Sequence, residues 1–587
     1  MVKRSIFFGL LIVLGVLLYL NPNFKTISAG VAILLFGMIM LEEGFRVFTK
    51  GPLQTILKKA TNKLYKSISV GAFVTALIQS SSLVSVITIS FISAGLISLG
   101  GGLGLIFGAN IGTTTTAWLV VGFGLKIKIS ALAMPMLVFG IIFSFQKKEA
   151  LKGLGNVLAG LGFFFLGIHY MKEGFDVFKD YIDLTQYAVS GYLGVVIYTG
   201  LGIIITTILQ SSSATLALIL TALSAGQIEY ENALALAIGA NIGTTITAVL
   251  GSLGANIAGR RLAGAHLIFN LTTGIVALAI IFPLARFVNI ISELVHIAAT
   301  DYTLKLAMFH TIFNILGVIL MIPFVGKLEK LLLKVFKEQA VDKKAIDEPK
   351  YLNEAILSFP STAISSLIKE SQYLYKNTIF EIVTHGLNLH REDVKSDLKI
   401  KEVIKKSNED MNIDVDELYY SKVKTIYGEI IRYATTTQND LKLNKKQHQS
   451  IIDIKIANRK MVEIVKIVRE INKNIKLSLH GDNKHLLKEY NEYRKKLTKV
   501  LRVIYLFRTE EDSKKYALKL KELKKEAKEN IRLSNKSIDK LIRKNLITTE
   551  MASSLFNDYA NVNDVIKKLI EVAELLYGKT DSLLEES

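Results

Sequence analysis

QSSSLVSVITISFISAGLISLGGGLGLIFGANIGTT runs from Gln79 to Thr114, and QSSSATLALILTALSAGQIEYENALALAIGANIGTT runs from Gln210 to Thr245. The two stretches align without a gap at a constant offset of 131 residues, and the alignment extends over residues 71 to 118 against 202 to 249. The segments ahead of them match as well: Gly37, Glu43-Gly44-Phe45 and Val47-Phe48 fall on Gly167, Glu173-Gly174-Phe175 and Val177-Phe178, at an offset of 130. A pair of motifs kept at one spacing in both copies marks an internal duplication, so this part of the chain is read as two structural repeats.

The repeats lie within a long apolar region. From Ser5 to Phe324, apolar stretches succeed one another, among them Ser5 to Leu20, Leu103 to Phe123, Ile127 to Phe145 and Leu304 to Phe324. About 20 apolar residues suffice for a helix to cross roughly 30 Å of hydrocarbon, so these stretches predict membrane spans. After Lys327 the sequence changes to Lys, Glu, Asn and Asp interleaved with Ile, Leu and Val, without a long apolar run. The predicted class is all-α: a polytopic membrane protein of two inverted repeats containing re-entrant hairpins, followed by a soluble helical bundle. The expected divisions are an N-terminal transmembrane helix at 1–26, repeat one at 27–148, repeat two with its following helices at 149–327, a short helical linker at 328–350, and a cytoplasmic helical domain at 351–587. Lys3-Arg4 before an apolar run imitates a secretory signal, but Asn21-Pro22-Asn23-Phe24 is no small-residue cleavage site, so an uncleaved first span is expected.

Charge gives the orientation. The net charge is +20, yet no concentrated basic arm is present and much of the excess flanks the spans, which argues for a lipid bilayer rather than nucleic acid as the partner. Arg46, Lys50, Lys58, Lys59, Lys63 and Lys66 follow the first helix of repeat one, whereas Asp176, Lys179, Asp180 and Asp183 occupy the equivalent place in repeat two. Cytoplasmic loops are enriched in Lys and Arg, so the first segment is placed inside and the second outside, and the repeats are inverted. The map closes if each QSSS segment is the tip of a hairpin that returns to the face it entered. It puts both the N-terminus and the C-terminal domain in the cytoplasm; Lys126 and Lys128 alone fall on the wrong side.

Non-helical backbone inside a membrane survives only where protein or a water-filled cavity satisfies it, so polar motifs in mid-span are candidate binding sites. Gln79, Ser80, Ser81, Ser82 and their counterparts Gln210, Ser211, Ser212, Ser213 place hydroxyls beside the unpaired N–H groups and positive end of a half-helix, which suits an oxyanion. The GANIGTT runs, with two Gly expected to break the helix, offer hard oxygen ligands for a small cation such as sodium. The candidate sodium ligands are Gln79, Ser81, Asn110, Thr113, Thr114, Gln210, Ser212, Asn241, Thr244 and Thr245. No Asp or Glu occurs between Ser67 and Lys148, nor between Ser190 and Ile228, so a carboxylate proton relay has no obvious members. Arg is absent from both motif regions, so a buried anion would need co-transported cations to offset its charge. The plainer alternative is that small residues let membrane helices pack while their hydroxyls bond their own carbonyls. His266 and His310 each open the pattern H-x-I-F-N, ending at Asn270 and Asn314, and are read as helix cross-links or path residues; Trp118 is read as a packing or interfacial residue. Zero cysteines exclude disulfides and thiolate chemistry, and neither a nucleophile–base pair nor a P-loop suggests an enzyme.

QSSS twice, each followed by GANIGTT, resembles the bacterial form of the type II sodium/phosphate cotransporter family, over roughly residues 27 to 326. The resemblance implies sodium-coupled import of inorganic phosphate across the bacterial cytoplasmic membrane, with sodium as the co-transported ion and no other cofactor. An elevator-like movement of the motif-bearing core against helices at 27 to 48 and 153 to 178 is expected from the architecture. The region after Phe359-Pro360 resembles the PhoU-like helical domain of such transporters, on apolar stripes such as Ile454, Ala457, Met461, Ile464, Val468, Ile471 and Ile475. Through such a domain, cytoplasmic or self-association partners are conceivable. Asp410 and Asp414 are the nearest match to the metal-holding acidic motifs of PhoU-like proteins, with a solvated acidic patch as the alternative. The rival functions are a sodium-coupled carboxylate carrier and a phosphate sensor acting through the C-terminal domain.

Overall fold

A computed structural model of the chain describes residues 12–49, 63–126, 129–179, 184–337, 348–352, 360–407, 415–441, 443–510, 513–529 and 531–578. The described residues are helical or connecting, with no strand among them. The chain divides into two compact units near residue 338. In the first, seven described helices are long and apolar enough to cross a membrane. Large apolar side chains such as Val196, Ile208, Ile275 and Ile319 stand exposed on them, which water would penalise and lipid would not. This is an integral membrane protein.

The repeat-one elements are α1 (Pro22–Thr49), α2 (Leu64–Ile78), α3 (Ser81–Ser93), α4 (Leu99–Leu119, continued by a π-helical turn to Leu125) and α5 (Ile129–Ser144). Repeat two comprises α6 (Glu149–Lys179), α7 (Gly191–Leu209), α8 (Ser212–Ser224), α9 (Tyr230–Gly243), α10 (Thr245–Ser252) and α11 (Ile257–Ala279). After them come α12 (Ile281–Leu294), α13 (Tyr302–Met321) and the amphipathic α14 (Val325–Val335).

Glycines decide how the equivalent helices meet. A Cβ on Gly30 would come within 2.8 Å of the Gly167 carbonyl oxygen, one on Gly37 within 2.7 Å of Gly160 O, and one on Gly44 within 2.7 Å of Gly153 O. Contacts that descend on one helix as they ascend on the other make α1 and α6 antiparallel, packed backbone to backbone as small residues allow in membranes. Since Gly30 and Gly37 align with Gly160 and Gly167, the contact of Gly30 with Gly167 exchanges into that of Gly160 with Gly37. Reciprocity of this kind is what a two-fold relation produces.

Within each repeat the pairing is parallel instead. A Cβ on Gly104 would reach Ser67 Cβ at 2.5 Å, one on Gly108 the Ile68 oxygen at 2.0 Å, and one on Gly112 the Ala72 oxygen at 2.4 Å, so α2 and α4 run side by side in one direction. In repeat two, Gly239 meets Thr199 O at 2.2 Å and Gly243 meets Ile203 O at 2.8 Å, which makes α7 and α9 parallel as well. The helix between each pair must therefore carry the chain back. Both returning helices, α3 and α8, have 13 residues, roughly 20 Å at 1.5 Å per residue and short of a full crossing.

At the end of this unit, α14 buries Leu328 and Leu332, and the Arg261 guanidinium on α11 donates from Nε and Nη2 to the Phe336 carbonyl at 3.1 and 2.6 Å. Lys126, which the charge map misplaces, pairs with Asp301 at 2.8 Å, so its charge is offset by an acid. Lys128 lies outside the described residues.

The second unit is a helical bundle containing α15 (Pro360–Tyr373), which continues through a π-helical segment into α16 (Phe380–Gly386). It goes on with α17 (Lys424–Asp440), α18 (Lys445–His480), α19 (Lys484–Thr509), α20 (Ser513–Glu529), α21 (Ile531–Arg543) and α22 (Thr549–Tyr577). The stripe from Ile454 to Ile475 is buried, as are Val562, Val565, Leu569, Val572 and Leu576, so the 3–4 spacing does form the bundle core. Arg494 is fully buried and donates to the carbonyls of Leu387, Asn388 and Ser407, fixing the connections beside α19. Asp410 and Asp414 lie outside the described residues.

Candidate functional site

Each QSSS motif forms the tip of a helix–turn–helix, built the same way twice. Gln79 adopts φ 59° and ψ 24°, and Gln210 adopts φ 53° and ψ 24°. A non-glycine residue in this left-handed region costs of order 1–3 kcal/mol and persists only where its surroundings over-determine it. Ser80 and Ser211 then turn extended and cap the returning helices, their hydroxyls accepting from the amides of Leu83 and Ala214 at 3.2 Å each. The capping serines are thus partly committed to the fold. The amides of Ser81 and Ser82, and of Ser212 and Ser213, stand at the first turn, where no intrahelical acceptor exists and the dipole favours negative charge.

Cross-repeat hydrogen bonds bring the two tips together. Gln79 Nε2 donates to Thr115 Oγ1 at 2.9 Å, and Thr116 Oγ1 donates to Gln79 Oε1 at 2.8 Å. Thr116 Oγ1 also lies 3.1 Å from Ser213 Oγ, so one hydroxyl links the first motif to the second. The reciprocal bond joins Ser82 Oγ to Thr247 Oγ1 at 3.3 Å. Ser82 aligns with Ser213 and Thr116 with Thr247, so exchanging the repeats converts one bond into the other. The tips are not equivalent in every respect. Gln210 is exposed and forms no side-chain hydrogen bond to the described residues, whereas Gln79 is clamped.

Both tips also meet a single stretch of α1. Ser80 Oγ donates to Glu42 Oε2 at 3.3 Å, and Ser211 Oγ approaches the Met38 sulfur at 3.9 Å. Met38 and Glu42 are four residues apart and so share one face of that helix. A carboxylate therefore borders the site, although the motif regions contain none.

The GANIGTT runs differ from their sequence reading. Repeat one shows no break: α4 continues through Asn110, Thr113 and Thr114, and in repeat two only Thr244 interrupts the helix, between α9 and α10. The physical reason is packing, because Gly108 and Gly112 face the backbone of α2 at distances no Cβ could tolerate. Thr113 donates to Ala109 O, Thr114 to Ile111 O, Thr244 to Ala240 O and Thr245 to Ile242 O, so these hydroxyl protons are spent on the helix while their lone pairs face outward from it. Asn110 likewise donates to Ile106 O. Asn241 instead crosses to α13, donating to Asn314 Oδ1 at 2.7 Å, with His310 Nε2 at 3.3 Å from its Oδ1. The second H-x-I-F-N motif is thus a helix cross-link. In the first, His266 Nδ1 and both amide atoms of Asn270 are buried without a hydrogen bond to the described residues. Trp118 Nε1 donates to Thr311 at 3.0 Å within the packed interior.

Thr115, Thr116, Thr247 and Glu42 escape a motif-based reading. Thr116 and Thr247 do carry a signal, since both sit at the shared offset just beyond the GANIGTT runs. Glu42 carries none, because its repeat-two counterpart is Lys172. No group of three or more His, Cys, Asp or Glu side chains that could hold a metal occurs among the described residues. What the site offers is hydroxyls, amides, carbonyls and a carboxylate, a donor set for an oxyanion and for hard monovalent cations.

A profile of the family described as Na+/Pi-cotransporter matches residues 33–173 and 194–327. The chain is 26% identical over 473 residues to the Escherichia coli K12 protein named "Putative inorganic phosphate export protein YjbB", covering 77% of this chain and 83% of that one. It is 27% identical over 308 residues to the Bacillus subtilis 168 protein named "Uncharacterized protein YqeW", covering 52% of this chain and 95% of that protein. No solved structure gives a significant match.

Proposed function

The membrane unit belongs to the Na+/Pi-cotransporter family, whose members transport phosphate and are not enzymes, and on that premise we propose that this chain carries inorganic phosphate by sodium-coupled symport through the paired QSSS tips. The observation that carries the reading is the Gln79–Thr116–Ser213 bridge, which joins the hydroxyl-rich tips of two repeats at one point. Phosphate is bound by the leading amides of α3 and α8 with the hydroxyls of Ser81, Ser82, Ser212 and Ser213. Sodium is bound beside it by oxygens drawn from Gln79, Ser81, Asn110, Thr113, Thr114, Gln210, Ser212, Asn241, Thr244 and Thr245. The antiparallel packing of the equivalent helices α1 and α6, and the short returning helices α3 and α8, support inverted repeats with re-entrant hairpins. The hairpin-bearing core moves in an elevator-like manner against the α1–α6 scaffold, in the cytoplasmic membrane, with both termini inside. The C-terminal unit is a PhoU-like regulatory bundle.

Under an inward sodium gradient such a symporter imports phosphate. Export is the second reading, favoured by the name of the Escherichia coli relative. Proteoliposomes separate the possibilities: phosphate flux should follow an imposed sodium gradient in either direction, should be inhibited by arsenate, and should be indifferent to succinate. Flux that persists unchanged when potassium replaces sodium rejects the coupling, and inhibition by succinate favours a carboxylate carrier.

A further inference from the structure

We propose that one face of α11, carrying His266, Asn270 and Thr273, lines the aqueous path between the transport site and the membrane face at which α11 begins. The inference deepens the symport reading above and rests on it for the cargo. The three side chains are 2%, 1% and 3% exposed, yet His266 Nδ1, both amide atoms of Asn270 and Thr273 Oγ1 have no hydrogen bond among the described residues. Steps of four and three residues keep them on one helix face. The polar line extends backwards along α11. Seven residues before His266, a Cβ on Gly259 would lie 2.6 Å from Ser93 Oγ, another buried hydroxyl without a partner among the described residues. From Gly259 to Thr273 the line covers roughly 20 Å at 1.5 Å per residue, a large part of the roughly 30 Å of hydrocarbon.

Polar groups without partners are costly in an apolar interior, and within membrane spans they mark ion and substrate pathways. The second H-x-I-F-N motif shows what a structural use of the same residues looks like, with Asn314 and His310 fastened to Asn241. At 266–270 there is no such anchor among the described residues, although α11 is packed on several sides. Phe269 stacks on Phe107 of α4 at 4.5 Å, and Thr273 Oγ1 would lie 2.8 Å from a Cβ on Gly317 of α13. Asn270 offers an open donor and an open acceptor together. A bare cation answers only the acceptor, whereas water answers both, so the chemistry suits a hydrated passage rather than a dry ion cage.

Both ends of the line lead somewhere. Inward, Gly274 packs against Ile242 of α9, its Cβ position 2.6 Å from Ile242 Cδ1, two residues before the candidate cation ligand Thr244. Outward, Asn256 caps α11 and donates to the Ser93 carbonyl at 2.9 Å, beside the exposed Arg260. Arg260 and Arg261 put this mouth on the cytoplasmic side by the positive-inside rule. In the conformation described, α3, α4 and α13 close over the line; alternating access opens it, and cargo passes along α11 with its water.

The full chain contains no cysteine, so single thiols are read without background. Thr273→Cys and Asn270→Cys are compared with Ala265→Cys, a buried position on another face of α11. Each is treated with a charged, membrane-impermeant methanethiosulfonate in inside-out and right-side-out vesicles, with sodium and phosphate present. From the cytoplasmic side, the first two should react about tenfold faster than Ala265→Cys, and modification should block phosphate flux. Asn270→Leu, which removes the unpaired amide, should keep or raise the thermal midpoint in detergent while lowering flux about tenfold. A packing role alone predicts that midpoint and flux move together. Thiols that stay unreactive from both sides, react only from outside, or react no faster than Ala265→Cys overturn the proposal, as does wild-type flux in Asn270→Leu. A cysteine-free parent without sodium-driven phosphate flux overturns the symport reading alone, since thiol accessibility reports the path whatever the cargo.

Discussion

Thr116 links the first motif to the second through a single hydroxyl. Its hydroxyl serves Gln79 and Ser213 at once, while Thr247 reaches Ser82 and donates its proton to the Thr244 carbonyl of its own helix. A hydrogen bond contributes about 1 kcal/mol, so Thr116→Val should raise the phosphate KM by roughly ten- to thirtyfold and Thr247→Val by about fivefold. Equal effects in flux assays would mean that the tips are held by something other than these bonds. In the bundle, Asp558 Oδ2 accepts from Tyr490 and Asn474 at 2.8 Å each. Burial raises its carboxyl above the ordinary range, against hydrogen bonds from Asn474, Tyr490 and Asn561 that lower it. A carboxyl raised in the folded state contributes stability that is complete below its unfolded value, about pH 4, and is lost as pH climbs through the folded value. Asp558→Asn, which keeps an acceptor, should flatten the pH dependence of the bundle's thermal transition in that window. Asp558→Leu should destabilise it by about 2–3 kcal/mol by orphaning the donors of Asn474, Tyr490 and Asn561.

At the scale of elements, helix contacts made by glycine set the shape of the repeat. On α4, Gly108 lies against the Ile68 carbonyl so closely that a Cβ would fall 2.0 Å away, and a backbone atom cannot rotate aside. Gly108→Ala should therefore cost several kcal/mol and sharply reduce the yield of folded protein, since overpacking and backbone displacement add. Gly200 on α7 faces nothing within 4 Å, so Gly200→Ala should fold as the wild type does. Size-exclusion profiles and thermal midpoints in detergent compare the pair. Both glycines look alike in sequence, as apolar-helix glycines; only their neighbours distinguish them. The same packing explains why the GANIGTT run continues as a helix where its two glycines predict a break.

For the whole molecule, the division near residue 338 separates the unit that holds the candidate site from the bundle. The bonds that join the hairpin tips all lie before that point, from Glu42 to Thr247. Truncation after residue 338 should keep sodium-driven phosphate flux in proteoliposomes, with changes confined to its regulation. Loss of all flux from a truncated chain that still elutes as a folded species would show that the bundle belongs to the transport machinery.

Duplication, helical class, the apolar helices of the first unit and the tips at Gln79 and Gln210 were all legible in the sequence, because each depends on local periodicity or on a repeat at fixed offset. Apolar length reports the membrane, and a 3–4 stripe such as Ile454 to Ile475 reports a buried helix face. What only the tertiary structure decided is which groups share the site. Thr116 and Ser213 are 97 residues apart, Ser82 and Thr247 are 165 apart, and Glu42 belongs to a helix whose counterpart carries Lys172. No spacing rule reaches across such separations, since the hydrogen bonds arise from how helices pack, and that packing is set by glycine contacts whose depth the sequence does not record.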